Sequence, residues 1–155
     1  MVLPLQSKEV EITINANNAE MLANYDDENG LFIFRGVPYA KPPVGELRWK
    51  SPQPVEEKSR IDARSFKPAC MQDTYTTDWY HDVIDSFGQD KSLFEHVKEV
   101  SEDCLYLNIW TPSVDKTKKK PVMVWVHGGA DTAGWSYEPD YLGHELAKKD
   151  VVVVS

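Results

Sequence analysis

The stretch Pro121-Val-Met-Val-Trp-Val-His127-Gly128-Gly129-Ala130 runs five mostly apolar residues into a histidine and two glycines. Valine and tryptophan fit a pleated, half-buried surface, so the run reads as a strand. The glycines after it allow a tight turn and a close approach of bare backbone to whatever lies beyond. In open α/β sheets such a turn falls at the carboxyl edge of the strands, where these folds place their ligands. The chain is therefore read as α/β, with the amides of Gly128, Gly129 and Ala130 directed at a substrate.

Acyl transfer is the chemistry that needs such amides. Attack on a carbonyl builds negative charge on its oxygen, and each fixed N–H donor is worth roughly 3 to 4 kcal/mol there. Gly129 and Ala130 are the main candidate donors. Alanine keeps its N–H, so its presence matters only if the third position needs positive φ, which alanine tolerates poorly. Taken alone, Gly128-Gly129 also reads as a turn that merely ends a strand, since glycine punctuates loops of every kind.

Two segments upstream bear on that choice. One is Phe34-Arg-Gly36-Val-Pro-Tyr-Ala-Lys-Pro-Pro-Val-Gly-Glu-Leu-Arg48-Trp49, and the other is Ser101-Glu102-Asp103-Cys104-Leu-Tyr-Leu-Asn-Ile-Trp-Thr-Pro112. With the His127 run, in that order, the chain resembles the type-B carboxylesterase and cholinesterase family from about Val10 to Ser155. The wording of the segments is most similar to microbial carboxylesterases, such as those that cleave p-nitrobenzyl esters.

The resemblance implies an α/β-hydrolase fold with a large mixed, mostly parallel sheet and an N-terminal antiparallel hairpin. It implies a carboxylic ester hydrolase in which Gly128, Gly129 and Ala130 form the oxyanion hole and the substrate is a small-molecule ester. A serine hydrolase also needs a nucleophile, a base and an orienting acid, and no G-x-S-x-G elbow occurs here. In the family these follow later, in the order Ser, Asp or Glu, His. Residues 1–155 are thus expected to be the N-terminal fragment of a single catalytic domain. Its nucleophile would lie beyond Ser155, and the C-terminal part of the same domain would be its partner. The same fold also occurs in cholinesterase-like adhesion or structural proteins that lack the nucleophile, which stands as the alternative.

The resemblance further places a disulfide between Cys70 and Cys104, against the alternative of two reduced, buried thiols. A bridge would favour a secreted or periplasmic protein, and reduced thiols a cytoplasmic one. The segment inside the loop reads as weakly structured. In the family the arginine at Arg48 pairs with the glutamate at Glu102, implying a buried structural ion pair that ties the Pro-rich turn to the disulfide loop. His127 is read as a turn-shaping or core residue, because the family's base lies near the far end of the domain. Trp79 is read as an aromatic on the rim of the substrate gorge. Asp131 stands where the family usually has a large apolar residue.

Composition narrows the partners. Hydrophobic residues make up 41% and aromatics 11% of the chain, enough for a core, and no apolar run approaches the roughly 20 residues of a membrane span. The net charge of −8 argues against binding nucleic acid through its phosphates. His81, His96 and His144 lack metal-ligand spacing and read as surface residues, so neither a metal nor another cofactor is expected. Met1 to Ser7 is too short, and lacks the basic start, for a signal peptide. The lysine-rich run 116–120 reads as a solvated loop.

The coarse secondary structure follows the apolar periodicity. Val10 to Asn15 alternates as a strand, Asn24 to Gly30 is turn-rich, and Leu31 to Arg35 is a second strand, together forming the hairpin. Cys104 to Trp110 and Val122 to Val126 are further strands. Tyr141 to Lys149 reads as a helix, and Val151 begins a strand expected to run parallel to Val122–Val126 through a right-handed crossover.

Overall fold

A computed structural model describes residues 9–16, 19–55, 60–94 and 99–155. Met1 to Ser7, read for a leader, and His96 lie outside the described residues. The strands are β1 (Glu9–Ala16), β2 (Ala19–Asp26), β3 (Leu31–Pro38), β4 (Arg60–Asp62), β5 (Ala69–Cys70), β6 (Val100–Ser101), β7 (Tyr106–Thr111), β8 (Val122–Val124) and β9 (Val152–Val154). The helices are α1 (Tyr75–Ser86) and α2 (His144–Ala147).

The main sheet is mixed, in the order β1-β2-β3-β7-β9-β8, with β4 beside β2. The N-terminal ladders β1–β2, β2–β3, β3–β7 and β7–β9 are antiparallel, and β8–β9 is parallel. The parallel pairing of the strand before the glycine turn with the strand at Val152 agrees with the sequence reading.

The hairpin differs in one respect. The partner of β1 is β2, not the strand at Leu31, and β2 then pairs with β3. The sequence Ala19-Glu-Met-Leu-Ala-Asn-Tyr-Asp does not alternate, so period-2 reading passes over it. The turn itself narrows to the end of β2: Asn29 N and Nδ2 donate to the two carboxylate oxygens of Asp26 at 3.1 and 2.7 Å, and Gly30 closes it at φ +67°. A fully buried Asp26 is thus satisfied by the turn that it builds.

Trp110 on β7 centres one core cluster, with Leu31 and Ile33 of β3, Val153 of β9 and Ala147 of α2. A second cluster gathers Ala23, Phe34 and Ala63, with Ile12 and Ile14 of β1 packed against it. The helix expected over Tyr141–Lys149 shrinks to α2. A 3₁₀ turn at Pro139–Tyr141 is followed by Leu142 in extended conformation, φ −69° and ψ 126°. Gly143 then lies so near the Trp110 indole that a Cβ would come within 2.7 Å of Cε3. Asp150, at φ +66°, stops the helix.

The described residues of the disulfide loop are structured, contrary to the weakly structured segment expected from the sequence. The loop holds α1, twelve residues long, begun by Tyr75 N donating to Asp73 Oδ1 at 2.9 Å. The Tyr80 ring of α1 stacks on Phe94 with centroids 3.9 Å apart, and Phe94 meets Trp135 at 5.6 Å. This third cluster joins the disulfide loop to the segment that follows the glycine turn. Residues 116–119 are solvated as read, whereas Lys120 packs down and pairs with Asp150.

Candidate functional site

The strand β8 delivers His127 and the glycine turn to one wall of a cleft of ≈ 700 Å³. Gly128, Ala130 and Asp131 line it, with the Cys70–Cys104 pair, Asn108 and Trp135 on other walls. The turn is left-handed over three consecutive residues: Gly129 at φ +123°, Ala130 at +52° and Asp131 at +61°. Thr132 N and Ala133 N both donate to Gly129 O, at 3.0 and 3.1 Å, folding the chain back on itself. Among the described residues no acceptor is bonded to the N–H of Gly129 or Ala130.

Glycine is required at 129 by space as well as by φ. A Cβ there would stand 1.6 Å from Ala133 O, which no rotation of a side chain could relieve. Ala130 does occupy positive φ, so the alanine at the third position carries strain of about 1 to 2 kcal/mol that glycine would avoid. Asp131 is better suited, since Asp and Asn visit this region more readily than other non-glycine residues.

His127 is exposed, and its Nδ1–H donates to Gly128 O at 2.7 Å, so it shapes the turn and does not enter a core. The other described histidines are less superficial than their sequence suggests. His81 Nε2–H donates to Phe94 O at 2.7 Å, and His144 lies edge-on to Trp110 with ring centroids 5.7 Å apart. Burial, and after it the Arg35 charge, hold the His144 pKa below its ordinary 6.5.

Behind the turn lies a buried network that sequence reading missed. Glu138 is 2% exposed; its Oε1 accepts from Trp135 N at 3.1 Å and its Oε2 from the Tyr80 hydroxyl at 2.8 Å. Burial first, then the Glu138 carboxylate, pushes the Tyr80 phenol well above its usual range. Tyr106, in the cleft wall, is likewise pushed up to about 12 by burial and by Asp103. Asn108 is the second hub: its Oδ1 accepts from Gly36 N at 2.9 Å, and its Nδ2 donates to Ser136 Oγ at 3.0 Å. Its backbone exchanges hydrogen bonds with Ser155 at 2.8 and 3.0 Å. A polar residue inside the apolar run Leu105-Tyr-Leu-Asn-Ile-Trp was the signal that could have exposed it.

Cys70 and Cys104 form a disulfide, with Cα atoms 5.0 Å apart. Arg48 Nε and Nη2 donate to the two Glu102 carboxylate oxygens, both at 2.6 Å. The pair is not buried, however: the side chains are 52% and 38% exposed, and neither residue is in the cleft wall. Solvent screens such a pair, so it orients the Pro-rich turn and contributes little energy. Trp79 is 52% exposed on α1, edge-on to Tyr80 at 5.0 Å.

The profile of the carboxylesterase family matches residues 20–155, which take in the glycine turn and every strand of the main sheet except β1. The chain belongs to the carboxylesterase family. It is 43% identical over 129 residues to the medium-chain fatty acyl-CoA hydrolase precursor of Anas platyrhynchos, covering 82% of this chain and 22% of that protein. It is 38% identical over 128 residues to the para-nitrobenzyl esterase of Bacillus subtilis (strain 168), covering 82% and 23% respectively. Among solved structures, a thermophilic PNB esterase superposes with a TM-score of 0.73 at 33% identity, over 94% of this chain and 27% of that one. The carboxylesterase EST55 of Geobacillus stearothermophilus gives 0.70 at 35% identity, over 92% and 25%. The carboxylesterase-family chain thus carries part of an α/β-hydrolase fold and spans about a quarter of the length of these relatives.

Proposed function

We propose that this carboxylesterase-family chain supplies the oxyanion-binding part of a carboxylic ester hydrolase. The observation that carries the reading is the Gly129–Ala130 turn. Two adjacent amides have no acceptor among the described residues, and a backbone collision with Ala133 O keeps any side chain off Gly129.

In the proposed reaction a serine attacks the ester carbonyl, and the negative charge that develops on its oxygen is received by the N–H groups of Gly129 and Ala130, with Gly128 beside them. Another donor in this fold is the amide after the nucleophile. The nucleophile, acid and base are assigned to residues outside this chain, in which no G-x-S-x-G occurs. Residues 1–155 would then be one piece of a single catalytic domain and would hydrolyse nothing in isolation. A donor held before the charge appears needs no reorganisation during the reaction, which is the source of its catalytic worth. The Cys70–Cys104 bridge favours an oxidising compartment for the protein.

The test is to treat the complete protein carrying this chain with a fluorescent fluorophosphonate and to assay short-chain p-nitrophenyl esters. Covalent label together with ester turnover is expected. Neither label nor turnover would refute the reading in favour of an adhesion-type or inactive relative.

A further inference from the structure

Gln72 stands two residues past the disulfide-bonded Cys70 and reaches across 62 positions to Gly134. Its side-chain amide pairs with that residue as a neighbouring peptide in a sheet would. Nε2 donates to Gly134 O at 2.9 Å, and Oε1 accepts from Gly134 N at 2.9 Å. A further Nε2 hydrogen bond reaches Cys70 O at 3.2 Å. The amide is therefore held at both ends, and it spends its hydrogen-bonding capacity on two backbone segments.

Gly134 lies directly under the glycine turn. A Cβ on it would stand 2.5 Å from Gly128 O and 2.9 Å from His127 Nδ1, and its φ of +97° suits glycine alone. Ala133 O, in the same peptide unit, fills the space beside Gly129. Whatever fixes this peptide unit fixes the floor on which the Gly128–Ala130 amides rest. The fixing runs from β7 to Cys104, through the disulfide to Cys70, and so to Gln72.

We infer that Gln72 is a positioning residue that holds the oxyanion amides in register through Gly134. The inference rests on the functional reading of Gly129 and Ala130 as oxyanion donors. Catalytic constellations need placement within about 0.5 Å of the productive geometry. A two-point clamp on Gly134, with one point on the peptide unit that carries Ala133 O and the other on the unit after it, supplies that placement without touching the substrate.

Two variants of the complete protein test it. Gln72→Met keeps the length and removes all three hydrogen bonds. Gln72→Glu keeps an acceptor for Gly134 N but loses the donor to Gly134 O. For Gln72→Met, kcat is expected to fall by about 10- to 100-fold with KM within about twofold, the cost of a small misplacement of reacting groups. Amide hydrogen exchange in a peptide covering 127–134 should quicken, and exchange in β1 to β3 should not. For Gln72→Glu, the ratio of its kcat to that of the parent should rise as pH is lowered from 7 to 5, because a protonated carboxyl regains the missing donor. A tie that is only structural would leave that ratio flat. Unchanged kcat with unchanged exchange in 127–134, or a flat ratio, overturns the inference. Should the parent hydrolyse no ester, the functional reading falls separately and exchange alone decides: faster exchange in Gln72→Met sustains the clamp, and unchanged exchange ends it.

Discussion

The carbonyl oxygen of Ala133 occupies the place that a side chain on Gly129 would need, 1.6 Å from the Cβ position. The contact is backbone on backbone, so the turn must open to admit even a methyl group. Gly129→Ala in the complete protein is expected to lower kcat on short-chain esters by about 10²- to 10³-fold, the worth of an oxyanion donor. Activity within tenfold of the parent would show that the turn does not bear on the reaction.

Ala130 predicts the opposite sign. It holds φ +52°, and glycine there would relieve about 1 to 2 kcal/mol of left-handed strain while losing about 0.4 to 1 to the freer unfolded chain. Ala130→Gly should therefore leave stability unchanged or raise it by up to about 1.5 kcal/mol, read as the midpoint of urea unfolding. Because the N–H is retained, kcat should stay close to the parent value.

Asp131 faces the same cleft at φ +61°. A large apolar residue there would be strained by its backbone, so the clean test is Asp131→Asn, which keeps left-handed tolerance and removes the charge. The expected outcome is a higher kcat/KM for esters of longer acyl chains relative to acetate. An unchanged ratio would separate Asp131 from acyl selection.

The Cys70–Cys104 bridge closes a loop across 34 positions of sequence, for which chain entropy gives about 3 to 4 kcal/mol. Replacing both cysteines with serine should lower the unfolding free energy by about that amount. Reductant should then shift the parent's urea midpoint and leave the variant's unmoved.

His144 sets a pH dependence. Its folded-state pKa is below 6.5, so near and below that value the unfolded chain binds a proton that the folded chain refuses. Its contribution to stability is complete above pH 6.5 and is lost as pH falls through the folded value. His144→Gln should lose less stability than the parent between pH 7.5 and 5.5. An NMR titration midpoint for His144 at or above 6.5 would contradict this.

Much of the sheet was legible because β3, β7, β8 and β9 are built from apolar and β-branched runs; in β3, β7 and β9 buried residues follow, whereas β8, at the end of the strand order, leaves Val122, Met123 and Val124 exposed. The segment Ala19–Asp26 was not, because β2 buries small and polar residues, Ala23, Asn24 and Asp26, for which no period-2 pattern is required. The helix α1 was hidden by its aspartates and threonines, although Tyr80 and Ile84, four apart, carry its buried face. The helix at Tyr141 was overextended because nothing local says that Gly143 must press on Trp110. At the site, the glycine turn was readable from its own residues. Gln72 and Glu138 were not, since the contacts that tie them to distant segments span 62 and 58 positions.

The strand order carries a consequence for biosynthesis. β9 lies between β7 and β8, so β8 has no route into the sheet until β9 has been made. During translation Val122 to Val126 leave the ribosome before β9 and must wait through the whole crossover segment. Over that interval five consecutive apolar residues are open to pairing with another nascent chain, the usual beginning of misassembly in slow, non-local sheets. Slower elongation through the crossover would lengthen the delay, and a holdase that binds extended apolar segments would find its target at Val122–Val126.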